Sequence, residues 1–281
     1  MKRLLSLTVT LMSLHLPAQD RFAEVEISTQ HIAGSTYMLT GSGGNIGVSA
    51  GKDGILIIDD QFEPLATRIA KALSDIADTD IRYVINTHYH GDHTGSNAWF
   101  QKIEDTTIFA HDNVRSRLAE KPEHRHGGLP VVTYDNGIKF HFNDDTLHVM
   151  HLPSGHTDGD SIVRFEKANV VHTGDLFFVD RFPYVDLKAG GTVEGYMNNI
   201  QTILDRTDAE TRFIPGHGPL ATRKQYQNLL SMIKETRALV QTSKAAGKSL
   251  DDIIEAGLGD KWKSWSWQFI DEKRWITTLY Q

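Results

Sequence analysis

Residues 87 to 93 read T-H-Y-H-G-D-H, which places three imidazoles and one carboxylate within seven positions. Imidazole nitrogen and carboxylate oxygen are good ligands for zinc, iron or manganese. His88 and His90 sit two apart and can reach one ion together, while Asp92 and His93, beyond Gly91, can turn toward a second. The sequence contains no cysteine, so disulfides, thiolate nucleophiles and sulfur ligands are excluded. Any metal must be held by nitrogen and oxygen.

One loop cannot complete two coordination spheres, and ligand-type residues recur downstream at strand ends. Residues 147–152 read as a strand running into P-S-G-H-T-D-G-D, which carries His156. The strand at 170–173 is followed by Gly174 and Asp175, and the strand at 212–214 by P-G-H-G with His217. Each has the same layout of apolar strand, glycine and ligand-type residue. The glycine lets the backbone bend tightly, and the strand supplies the rigidity that a site needs.

The surrounding pattern is mixed α/β. Short strands are expected at 37–39, 46–48 and 55–58, separated by Gly-rich turns, and residues 64–77 carry Leu65, Ile69, Leu73 and Ile76 on one helical face. A second round follows: a strand at 82–85 delivers the histidine-rich loop, 96–101 reads as helix and 108–110 as strand. Later come strands at 161–165, 170–173 and 212–214, a helix at 194–204, and a long helix at 224–246. Strands grouped before helices, twice over, suggest two packed sheets with helices outside.

The H-x-H-x-D-H at 88–93, with G-H-T at 155–157, T-G-D at 173–175 and P-G-H-G at 215–218, resembles the metallo-β-lactamase superfamily. The resemblance runs from about residue 37 to 220, with every segment in family order. It implies an αββα four-layer sandwich with a dinuclear metal site at one edge. Carried over by position, His88, His90 and His156 would hold the first metal, Asp92, His93 and His217 the second, and Asp175 would bridge them. The implied cofactor is two zinc ions per chain, with iron or manganese as alternatives. Two metals sharing a water bring its pKa to about 7, so that a bridging hydroxide is available near neutrality, with Asp92 orienting it or relaying its proton.

The resemblance implies a zinc-dependent hydrolase of an ester, lactone, thioester or amide. The β-lactamases with this histidine set carry cysteine at the position of Asp175, which sets β-lactam hydrolysis apart as an alternative. A second alternative is the mononuclear iron dioxygenases of the same superfamily, which act on persulfides. Their second site is incomplete, whereas Asp92, His93 and His217 are all present here.

The remaining sequence bounds the setting. Lys2 and Arg3 precede an apolar run at 4–16, then Pro17-Ala18, the order of a secretory signal peptide with cleavage near Ala18. The mature chain, 19–281, is then expected in the periplasm or outside the cell as one metallo-β-lactamase-fold domain with a C-terminal helical tail. With no cysteine, a lipid anchor at the cleavage site is excluded. A net charge of −7 without a basic stretch argues against nucleic acid and anionic membrane as partners, leaving a small-molecule substrate. His124 and His126 fall in a polar loop, while His31, His111, His141, His148, His151 and His172 lie outside the ligand segments. Of these, His151 and His172 could support ligands from behind. Asp158 and Asp160 are read as local turn formers. The 41–44 loop and the 177–191 segment are expected to rim the pocket, with Phe178, Phe182 and Tyr184 as candidate walls. Trp262, Trp265, Trp267 and Trp275 are expected to dock the tail.

Overall fold

The computed structural model describes residues 21–122 and 127–281. The expected signal at 1–18 and the loop histidines His124 and His126 lie outside the described residues.

Two sheets form from the two rounds of strands. In the first, β1 (Ser28–Ala33), β2 (Thr36–Thr40), β3 (Ile46–Gly51) and β4 (Gly54–Ile58) make an antiparallel meander, and β5 (Ile81–Ile85), β6 (Thr107–His111) and β7 (Val132–Tyr134) add in parallel. In the second, β8 (Gly137–Phe142), β9 (Asp145–His151), β10 (Ser161–Phe165) and β11 (Val170–Phe178) are antiparallel. β12 (Arg212–His217) then pairs in parallel with β11, and β13 (Ala221–Thr222) closes the edge.

Period-two alternation explains why the sheets stack with helices outside. On β4, Ile55 and Ile57 pack with Leu65, Ile69 and Leu73, the last two on helix α1 (Ala66–Ile76). Leu56 and Ile58 point the other way, into a core shared with Leu147, Val149, Val163 and Val170 of the second sheet. Beyond that sheet, Val171, Phe177 and Phe213 meet Tyr196, Ile200, Tyr226 and Ile233 of α5 (Val193–Asp205) and α6 (Arg223–Ala245). Three cores between four layers make an αββα sandwich, the two packed sheets with outer helices that the strand pattern suggested and the four layers that the resemblance implied.

On the first sheet's side lie the short turn α2 (Gly91–Thr94), α3 (Asn97–Ile103) and α4 (Asp112–Ala119). After α6 come α7 (Leu250–Ala256) and α8 (Glu272–Tyr280), whose Ile253, Trp275, Ile276 and Leu279 join the α5–α6 core. Trp275 is fully buried and its indole Nε1 donates to Thr236 Oγ1 of α6 at 3.1 Å. Trp262 is also buried there, so these two tryptophans dock the tail as expected. Among the described residues, no helix is long and apolar enough to cross a membrane.

Two strand ends differ from the sequence reading. Asp175 was expected just past a strand, but β11 continues to Phe178 because Leu176, Phe177 and Phe178 still find buried positions. Gly174, at φ 50°, kinks the strand there, and the β11–β12 register shifts on both sides of it. His217 is likewise the last residue of β12 rather than a loop residue beyond it.

Candidate metal centre

Four segments deliver the ligand-type side chains to one end of the sandwich. β5 ends at Ile85, and Thr87 to His90 form the connection to α2. Gly91 opens a helical turn in which the amides of His93 and Thr94 donate to His90 O. That turn aims Asp92 and His93 to the same side. His156 comes from the loop between β9 and β10, Asp175 from within β11, and His217 from the end of β12.

These seven residues form two groups that meet at one carboxylate. Ligand atoms of His88, His90, His156 and Asp175 all lie within 4.8 Å of one another, and so do those of Asp92, His93 and His217. Asp175 turns Oδ2 toward the first group, 3.4 Å from His156 Nε2 and 3.8 Å from His88 Nε2. Its Oδ1 faces the second group, 3.1 Å from His93 Nε2 and 3.4 Å from His217 Nε2. Asp92 Oδ2 lies 3.4 Å from His217 Nε2 and 3.7 Å from His93 Nε2.

Close approach of backbone is what lets Asp175 sit there. A Cβ on Gly216 would fall 2.0 Å from Asp175 Oδ1, so only glycine fits at that point of β12. At Gly216, then, the need is space rather than a tight bend.

The outer nitrogens of four histidines are each tied down, which turns the other nitrogen inward. His93 Nδ1 donates to Asp59 Oδ2 at 2.7 Å. Thr87 Oγ1 donates to the same carboxylate at 2.8 Å and therefore accepts from His88 Nδ1 at 3.0 Å. His156 Nδ1 donates to Tyr184 O at 2.7 Å, and His90 Nε2 to Asp186 Oδ2 at 3.1 Å. A histidine whose outer N–H is so engaged presents a lone pair inward, the arrangement that metal-binding histidines adopt.

The inward atoms fit cations. His88 Nε2, His93 Nε2 and Asp175 Oδ1 are buried yet make no hydrogen bond of good geometry. His156 Nε2 and His90 Nδ1 face each other at 2.8 Å. With both outer nitrogens protonated, two lone pairs at that distance repel unless a cation or a shared proton lies between them. The donor set of nitrogen and carboxylate oxygen suits zinc, iron or manganese alike.

Electrostatics separate the two groups. Burial lowers the pKa of His156 to about 4 and, with His93 beside it, holds His88 well below the imidazole range. In the second group burial works against charge on His217 and His93, but Asp175 outweighs it, helped by Asp92. His217 rises to about 9, and His93 stands well above its usual value with Asp59 contributing. Burial would also raise Asp92 and Asp175; His93 foremost overrides it, bringing Asp92 down to about 2 and Asp175 well below the carboxylate range.

Sequence reasoning missed two supporting carboxylates. Asp59 directly follows the apolar strand β4 and accepts from Thr87 N, Thr87 Oγ1 and His93 Nδ1. Its layout is that of the ligand segments without the glycine, and that was the available signal. Asp186 accepts from His90 and, at 2.7 Å, from Tyr89 Oη; nothing in its local sequence marks it. His172 is buried behind the site, 3.1 Å from Asn45 O, while His151 stacks on His111 at 3.7 Å and bonds Asp160 O. Neither touches a ligand-type side chain of the two groups in these contacts. Asp160 holds its own turn through Thr157 N and Oγ1, as expected, whereas Asp158 is instead paired with Arg117 through two 2.7 Å bonds.

A cavity of about 720 Å³ opens onto the two groups through His90, Asp92, Asp175 and His217. Gly43, Phe178 and Tyr184 line it as expected; Phe182 does not, because it is fully buried against Trp275 with ring centroids 5.9 Å apart. Trp267 and Phe269 of the tail line it as well, so this part of the tail does more than dock.

The family model described as the metallo-beta-lactamase superfamily matches residues 39–217. The lactamase-like protein aptB of Emericella nidulans is 27% identical over 227 residues, covering 76% of this chain and 67% of its own length. The hydroxyacylglutathione hydrolase of Pelagibacter ubique is 25% identical over 155 residues, covering 54% of this chain and 57% of its own. The chain therefore spans between about half and two thirds of these relatives. Among solved structures, a metallo-beta-lactamase from Pontibacter korlensis superposes with a TM-score of 0.65, covering 74% of this chain and 99% of that one. At 18% identity that likeness is one of fold.

Proposed function

Because the chain belongs to the metallo-β-lactamase superfamily, whose matched span of 39–217 contains all seven ligand-type residues, we propose that it is an exported dinuclear-metal hydrolase of an ester, lactone, thioester or amide. The observation that carries this reading is the convergence of His88, His90 and His156 with Asp92, His93 and His217 on the two oxygens of Asp175. His88, His90 and His156 would hold one ion, Asp92, His93 and His217 the other, and Asp175 both. Divalent metals bound there supply water acidified to near neutrality and Lewis-acid polarisation of the scissile carbonyl.

The chain's own side chains do the positioning. Asp92 is the ligand-type carboxylate most open to the cavity, with 27% of its side chain exposed, so it is placed to hold the proton released by the attacking water. Asp59 and Asp186 fix the tautomers of His93 and His90, and Thr87 fixes that of His88. Burial of His88, His93 and His156 keeps bulk water from competing for the inward atoms. Asp175 in place of cysteine favours ester or thioester substrates over β-lactams, in keeping with the hydroxyacylglutathione hydrolase among the relatives. The charged, apolar, small-residue order of the leader supports export.

The test is turnover of a chromogenic panel comprising a thioester, a lactone, a cephalosporin and a phosphodiester, before and after chelation. Hydrolysis of the thioester or lactone, abolished by chelator and restored by metal, is expected. Asp92→Asn should keep the fold and lose about 100-fold or more in kcat. A metal-loaded protein inert toward the whole panel, or an Asp92→Asn variant of undiminished kcat, would overturn the reading.

A further inference from the structure

The cavity wall has an unusual composition. Among the described residues its apolar side chains are Phe62, Tyr89, Phe178, Tyr184, Trp267 and Phe269, with no aliphatic side chain in the lining. Aliphatic residues fill the cores immediately behind, so the restriction to rings belongs to the pocket and not to the protein's composition.

The rings form a connected surface reaching the proposed metal centre. Phe178 stacks on His217 at 5.1 Å and 15°, Trp267 lies 5.8 Å from Phe178, and Phe269 lies 5.7 Å from Trp267 and 5.2 Å from Tyr184. Tyr184 in turn stacks on His90 at 5.7 Å and 27°. The chain of rings therefore starts on one histidine of the second group and ends on one of the first. Cations back it: Arg181 lies over Trp267, and Arg274 over Tyr184 and Phe269.

Trp267 is held in place independently of any ligand. Its Nε1 donates to Phe182 O at 2.9 Å and its amide to Ile270 O at 3.1 Å. Phe269 is 47% exposed, a large hydrophobic ring left open beside the cavity. Both residues lie beyond the span that matches the family model, 39–217.

Resting on the hydrolase reading for what is cleaved, we propose that the tail segment carrying Trp267 and Phe269 is a specificity-determining wall that selects substrates with a flat conjugated ring next to the scissile carbonyl. Rings recognise a flat conjugated group by offset stacking and edge contacts that an alkyl chain of equal area cannot make.

Binding can be measured apart from turnover, with carboxylates as product mimics. Calorimetric titration of the metal-loaded protein with 1-naphthylacetate and with hexanoate gives a ratio in which the carboxylate's own contribution cancels. The wild type is expected to bind the naphthyl acid at least tenfold tighter. Trp267→Leu and Phe269→Leu, which keep apolar volume and remove a ring, should each reduce that ratio about three- to tenfold. Trp267→Phe should restore most of it, which a merely structural role of the indole would not do. Because Phe269 is half-exposed, its replacement leaves the fold intact and keeps the test valid if Trp267→Leu is unstable. A wild-type ratio below two, or a ratio unmoved in both leucine variants, overturns the proposal. Ring-dependent binding without hydrolysis of any aryl ester or thioester would defeat the hydrolase reading and leave the wall standing. Efficient hydrolysis of short aliphatic thioesters with no preference for rings would do the reverse.

Discussion

At the scale of single residues, the chemistry depends on which nitrogen each histidine turns inward, and that is set by the groups that hold its other nitrogen. Asp186 holds His90 through Nε2, so Asp186→Asn, with an amide now free to flip its donor toward the ring, should weaken metal binding about 10- to 100-fold. Competition with a chromogenic chelator measures it, and an unchanged affinity would remove Asp186 from the site. The two groups should also respond differently to acid. His217, at about 9, carries a proton at neutral pH that a metal must displace, and each such proton weakens binding about tenfold per unit of pH lost below that value. His156, at about 4, and His88, held well below the imidazole range, are already neutral, so neither adds such a penalty between pH 8 and 6. Two-site metal titrations at pH 8 and 6 should therefore show the second equivalent weakening more than the first. Equal weakening of both would contradict the assignment.

At the scale of elements, the first ligand segment was legible from its crowding of three imidazoles and a carboxylate, and the three downstream ones because each is an apolar strand followed by glycine just before a ligand-type residue. That signature works since backbone must come close to the ligands, as at Gly216 beside Asp175. It fails where a strand needs no glycine, as at β4 and Asp59, and it misjudged β11, whose apolar residues resume after Asp175. Asp186 lies in the segment expected to rim the pocket and Trp267 among the tryptophans expected to dock the tail, but their specific contacts with the site were not legible, because these depend on tertiary packing of loops. The tail's packing, by contrast, was read correctly for Trp262 and Trp275. Trp275 has no exposed surface, and Trp275→Ala should cost about 3–5 kcal/mol of stability, measurable by denaturant unfolding. A loss below about 1 kcal/mol would mean that α8 is not integral to the fold.

At the scale of the whole molecule, two sheets press their ligand-bearing ends together so that β5, β9, β11 and β12 supply one centre, and the helices outside keep those strands from shifting. The stacking of two sheets with helices outside follows from alternation that the sequence carries openly, while the family match was legible in the ligand motifs. What joins the two groups is a single carboxylate, Asp175, with one oxygen turned to each. The decisive measurement is the metal content of the purified protein by elemental analysis. Two equivalents per chain are expected, falling to one or fewer in Asp175→Ala. A single equivalent in the wild type, with Asp92, His93 and His217 all intact, would contradict the dinuclear centre.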